Sequence, residues 1–164
     1  MIASSKYVAA IGLLWICGFW ACATGDPTRR PPRASALRAM TAPAPGFVAA
    51  TARVRSVSGR AWASNLGEEW IPLRRGDSLR AGAVVWLEPG SHADFFLGNN
   101  GPMLRAVSDT LFAIRALSVK QTNGDPVIDT EFFVERGRLI GHVKDLPPGS
   151  RYQITTPAGE ARVR

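Results

Sequence analysis

The chain has 164 residues, a formal net charge of +7 and two cysteines. That length is about one domain on the usual prior, and 16 glycines with 12 prolines point to frequent turns and short strands more than long helices. The basic balance does not amount to a nucleic-acid surface. With Lys6, Arg29, Arg30, Arg33, Arg38 and Asp26 set aside, the stretch from Phe47 onward holds 15 bases against 12 acids, and it shows no basic stripe, RNA-binding aromatic motif or helix-turn-helix pattern.

The first predicted element is a leader over residues 1–23. Lys6 precedes an apolar run from Val8 to Ala21, and small residues follow. A charged start, an apolar centre of ~7 to 15 residues and a small-residue cut site make up a secretory signal. A membrane span needs ~20 apolar residues, and this run is shorter. Two cut sites overlap. Ala21-Cys22-Ala23 fits cleavage after Ala23, whereas Phe19-Trp20-Ala21-Cys22 resembles a bacterial lipobox, in which Cys22 is lipidated and becomes the first mature residue. Trp20 and Phe19 depart from the small residue and the leucine usual in that motif. An uncleaved anchor is the third reading. Cys17 and Cys22 both lie in the leader, so the domain beyond it has no cysteine for an internal disulfide, a nucleophile or a metal site.

Residues 24–46 are rich in Pro and Arg, show no apolar period and read as a solvated linker. From Phe47 the pattern changes to short apolar stretches cut by Gly, Asn-Gly and Pro-Gly signals. Val54 and its arginine neighbours Arg53 and Arg55 alternate as a strand does, and Gly59 bends the path into Ala61 and Ala63. Trp70, Ile71 and Leu73 precede a Gly76-Asp77 turn. Strands follow over Val84–Leu87, His92–Leu97 and Met103–Val107, separated by Pro89-Gly90 and by Asn99-Asn100-Gly101-Pro102, residues that accept positive φ or fix φ. Later strands read Leu111–Val119, Glu131–Glu135, Leu139–Val143 and Arg151–Thr155. Leu111–Leu117 is the one mild contender for a helix. Thr156-Pro157-Ala158-Gly159 forms a β-turn into a short last arm. The expectation for residues 47–164 is one all-β domain: an antiparallel meander of short strands closed as a sandwich, a rolled sheet or a short β-solenoid.

Chemistry is sparsely signalled. His92 and His142 stand alone, with no Cys or His at ligand spacing, so no metal site is expected. Asp77, Asp94 and Asp109 could in principle pair across strands, but Gly76-Asp77 and Ser108-Asp109 look like turn-forming Asp, and the structural reading is preferred. The serines lack a G-x-S-x-G setting, and the Gly-rich "GNNG" lacks the Lys-Ser/Thr of a phosphate loop. No catalytic set and no cofactor is therefore expected. Trp62, Trp70 and Trp86 remain as contact candidates, because aromatic side chains on a strand face serve as stacking platforms for sugars or anchors for a protein partner.

Taken in order, these pieces resemble the FecR domain, a bacterial extracytoplasmic module best known from regulators of iron-uptake signalling. The pattern is carried by the β-stretch Val54 to Ala61 with Gly59; by Trp70, Leu73, Gly76, Asp77 and Leu79; by Ser91, Ala93 and Leu97; and by Thr156, Pro157, Gly159, Ala161, Val163 and Arg164. Asn99-Asn100-Gly101 replaces the family's usual Asp-Gly turn, and Trp86-Leu87 stands where Arg-Thr is common. The resemblance implies a non-catalytic domain outside the cytoplasm that works through protein contacts, with Gly59, Gly76, Asp77, Pro157 and Gly159 as structural residues. It also implies that the last hairpin is cut short, since the family pattern continues past this Val-Arg with a further strand. The expected role is an exported envelope module, periplasmic or held at the outer face of a bacterial membrane by lipid on Cys22, whose partner is another envelope protein. The alternative is a module that binds peptidoglycan or another glycan through Trp62, Trp70 or Trp86.

Overall fold

Apolar residues that alternate with polar ones drive this chain into strands, and the turn residues decide where the strands bend. The computed structural model describes Pro32, Leu37 and residues 39–65, 69–98, 103–143 and 146–163. The leader expected over 1–23 with Cys17 and Cys22, the Asn99-Asn100-Gly101-Pro102 turn and Arg164 lie outside the described residues. Among the described residues the strands are β1 (Val48–Ala49), β2 (Ala52–Ser58), β3 (Ala61–Ser64), β4 (Ile71–Pro72), β5 (Ser78–Leu79) and β6 (Val84–Leu87). They continue with β7 (His92–Leu97), β8 (Met103–Lys120), β9 (Val127–His142), β10 (Arg151–Thr156) and β11 (Gly159–Val163). The domain is all-β, and all eleven strands belong to one sheet.

That sheet is folded along a single crease. β2 and β3 lie end to end, as do β6 and β7, and each of these pairs aligns with one half of the long strands β8 and β9. In the first arm β5, β2, β7, the start of β8 and the end of β9 lie side by side. In the second arm the order is β4, β3, β6, the rest of β8, the start of β9, β10 and β11, with β1 on the far end of β8. Both β8 and β9 were expected as two strands each; they run through because their breaks are bends within one ladder, where the register shifts between Val107 and Leu111.

Two glycines make the crease. Gly59 has φ +79°, and a Cβ there would lie 2.9 Å from the Ser91 Cβ; the neighbouring Arg60 N–H donates to Ser91 Oγ at 2.8 Å. Gly137 has φ +93°, and a Cβ would lie 2.5 Å from Thr110 Cα and 2.8 Å from the Asp109 carbonyl oxygen. Opposite it Asp109 takes φ +53°, a left-handed conformation that Asp accepts more readily than most residues. The Thr110 hydroxyl fills the gap, accepting from the Arg138 N–H at 3.0 Å and donating to the Val107 carbonyl.

Folding the sheet brings its two inner faces together as the core. The first arm supplies Val54, Phe95, Leu97 and Leu104, and the second supplies Ala63, Val85, Leu87, Phe112, Ile114 and Phe132. Phe95, Phe112, Phe132 and Tyr152 form a chain of ring contacts across the crease, with centroids 5.7, 6.1 and 6.0 Å apart. The Tyr152 hydroxyl is buried there without a partner, and burial pushes its pKa up to about 12.

In one place the structure departs from the expected antiparallel meander. β10 pairs parallel to β9, Arg151 standing opposite Asp129 and Thr155 opposite Phe133, so the sheet is mixed. β9 ends 13 positions beyond Asp129, roughly 40 Å if the strand were straight. β10 begins beside Asp129 again because the end of β9 folds over with its arm. Leu111–Leu117 is strand, as expected over Leu111–Val119, and not helix. Leu111–Ile114 is buried on both faces, and so is Val84–Leu87. A doubly buried strand reads as a continuous apolar run and loses the alternation that announces a strand.

Candidate functional site

The second arm's outer face is apolar where a half-buried sheet would be polar. Val84, Trp86, Leu111 and Ala113 form a small second core there, joined by Trp62, Trp70 and Phe133. Register explains the stacking order: Trp62 stands directly opposite Trp86 across β3 and β6. Trp70 closes over them from the segment before β4, its ring edge-to-face with Trp86 at 6.3 Å.

The three candidate tryptophans therefore form one cluster with unequal access. Trp86, expected among the contact residues, is only 1 % exposed. It is the floor of the cluster and offers no free ring face, and its indole N–H is buried without a partner. Trp62 and Trp70 are partly exposed. The Trp62 Nε1–H donates to Glu88 at 3.1 Å, and the Trp70 Nε1–H donates to the Pro32 carbonyl at 3.0 Å. Part of the stretch expected as a solvated linker lies on this face. Leu37 is 7 % exposed and packs in the cluster, and the Thr41 N–H donates to the Arg115 carbonyl at 2.9 Å. The sequence signal was a lone leucine among Pro, Ala and Arg, too little to mark a docked segment.

Beside the rings runs a ladder of charge. The Arg115 guanidinium lies over Phe133, 4.0 Å from the ring centre, and 3.8 Å from Glu131. Arg151 holds Asp129 at 2.7 Å and Glu131 at 3.3 Å. At the other end of the cluster a shallow depression of about 450 Å³ is lined by Gly59, Arg60, Ala61, Trp62, Pro72, Leu73 and Arg74.

The remaining candidate residues take structural places. Asp77 Oδ2 accepts from the Arg74 N–H at 2.7 Å and so ties the turn that contains Gly76. Pro157 and Ala158 form the turn of the β10–β11 hairpin, closed by Thr156 opposite Gly159. His92 lies in β7 and His142 at the end of β9, opposite Val107 and Met103 respectively. Among the described residues no three His, Cys, Asp or Glu side chains gather at metal-binding range.

Among the described residues Asp94 is the one strongly perturbed carboxylate. It is 6 % exposed, and Arg105 donates to both its oxygens, at 2.6 and 2.9 Å. These bonds lower its pKa to about 2; burial works against them, and a bond from Ser56 at 2.7 Å adds to them. Because the folded pKa lies below the unfolded value, the stabilisation is complete above about pH 4 and fades as pH falls toward 2. Asp94→Asn is accordingly expected to unfold about 2 kcal/mol more easily than the parent at neutral pH, with the gap closing toward pH 2. Urea melts of both proteins across that range check it.

No family model, no curated protein and no solved structure matches this chain.

Proposed function

We propose that this protein is a non-catalytic interaction module of FecR type, exported to the bacterial cell envelope and working through protein contacts. What supports the reading most is where the residues of the FecR-like pattern fall. Gly59 and Ser91 meet in the crease, Gly76 and Asp77 turn the chain between β4 and β5, and Pro157 and Gly159 turn the last hairpin. A pattern whose members fix bends and turns specifies an architecture and leaves the outer faces to differ between members. On this reading the contact surface is the aromatic face of the second arm, with Trp62 and Trp70 as anchors. The domain is either held by lipid on Cys22 or released after Ala23.

Crosslinking in intact cells tests the first part. A photoreactive residue in place of the exposed Ile71, beside Trp70, is expected to capture one envelope protein, and the same residue at exposed Gly124 is not. Equal adducts from both positions, or capture of cytoplasmic proteins alone, would remove the reading. The mass of the mature N-terminus settles the anchor: a diacylglyceryl adduct on Cys22 means a lipoprotein, and an unmodified start at Thr24 means a released domain.

The second reading, a glycan-binding module, is favoured by the depression beside Trp62, which Trp62 and the bases Arg60 and Arg74 line together. Stacking on an aromatic ring and hydrogen bonds from guanidinium groups are what a sugar needs. Trp62→Ala would then abolish retention on peptidoglycan without changing the unfolding midpoint, and unchanged retention excludes the module. Trp86→Ala is no test, because removing a buried ring unfolds the site it probes.

A further inference from the structure

The first arm has an outer face too, and it differs in kind from the aromatic one. Cross-strand register sets its rows. Arg53 and Met103 lie in one row, both opposite Phe96; Arg105 and Ile140 are directly paired in the next; Arg138 stands in the third. The bulge between Val54 and Ser56 turns Arg55 out to solvent beside them. Among the described residues no carboxylate pairs with Arg53, Arg55 or Arg138. The carboxylate within the rows, Asp94, is buried and fully engaged by Arg105 and Ser56. In the middle of these cations two large apolar side chains are left in water: Met103 is 43 % exposed and Ile140 is 50 % exposed. They are diagonal neighbours on adjacent strands, close enough to form one apolar tip.

From this juxtaposition we infer that the outer face of the first arm docks onto an anionic phospholipid surface. Unpaired arginines on an open sheet face meet phosphate groups without needing a shaped partner, each contributing through the negative surface potential. Met103 and Ile140 then enter the headgroup layer, which removes their exposed area from water. An acidic protein partner would use the same charges. However, a protein hot spot seats its anchors in a pocket, and none of these six residues lines the depression beside Trp62. The inference does not depend on the protein contacts proposed for the aromatic face, since the two faces belong to different arms.

Flotation of the full chain with vesicles tests it, comparing phosphatidylglycerol mixed into phosphatidylcholine with phosphatidylcholine alone. Any leader contribution is common to all variants, so the comparison between variants carries the result. Arg53→Gln/Arg55→Gln/Arg138→Gln is expected to lower partition onto the anionic vesicles by about a hundredfold, at roughly tenfold for somewhat more than one arginine. Arg74→Gln/Arg75→Gln/Arg162→Gln removes the same charge from other exposed positions and is expected to lower it much less. Ile140→Ser is expected to weaken binding at unchanged charge. All these positions are exposed, and an unaltered urea midpoint certifies each fold. Equal loss in the two triple variants overturns the inference. So does an absence of vesicle binding, and if a polyglutamate peptide then binds the parent and not the first triple variant, the face belongs to an acidic protein.

Discussion

Phe112→Ala is expected to cost about 3–5 kcal/mol, enough to leave a domain of this size barely folded. Phe112 is fully buried on β8, just past the crease, and its ring touches Phe95 of the first arm and Phe132 of the second. Truncation opens a cavity where the arms meet and removes two edge-to-face pairs, each worth ~0.5–1.5 kcal/mol beyond burial. Phe96 is the internal comparison. It lies on the neighbouring strand but faces outward and is only partly buried, so Phe96→Ala is expected to cost about 1 kcal/mol. Urea unfolding of both variants, read at the midpoint with the slope checked, measures the difference. Equal costs would mean that the two arms do not share one core.

Gly137→Ala comes second, at about 2–6 kcal/mol. Two penalties add: an L-residue at φ +93° is strained by ~1–3 kcal/mol, and the new methyl would press on the Thr110 backbone, where overpacking costs ~1–3 kcal/mol. Backbone gives less readily than a flexible side chain, so relief requires the crease to open. Gly124→Ala, in the β8–β9 loop with nothing within 4 Å, is expected to stay within about 0.5 kcal/mol of the parent. A mild effect at Gly137 would show that the bend in β9 tolerates a side chain and that other contacts hold the fold.

Turn chemistry made much of this domain legible. Gly59, Gly76-Asp77, Pro89-Gly90 and Thr156-Pro157-Ala158-Gly159 each sit at a bend or turn of the sheet, because positive φ and fixed φ are local demands that a few residue types meet. The crease was harder to see. Ser108-Asp109-Thr110 and Gly137 resemble ordinary strand breaks, and only the ladder between β8 and β9 reveals that they face each other and bend two strands together. The parallel β9–β10 pairing was invisible for a related reason: local pattern fixes which residues alternate, but the direction of a neighbour depends on a return path set by the bend. At the candidate site the tryptophans were legible as a set, and their order of burial was not. Cross-strand register puts Trp86 beside Trp62 on an inner strand, and register is a non-local property. The basic face escaped notice because its four arginines are spread over three strands.

Leu37 gives the aromatic face an internal competitor. A molecule that takes the place of that leucine in the cluster with Trp86, Leu111 and Ala113 must displace it, and re-exposing one such side chain costs about 1.5–3 kcal/mol. The intrinsic affinity of the face is thus masked by roughly ten- to a hundredfold in the intact chain. Affinity measured on the full chain will understate what the sheet itself can hold, and an event that draws Pro32 and Leu37 away, such as proteolysis or tension on the preceding chain, would raise it without altering a single atom of the binding face.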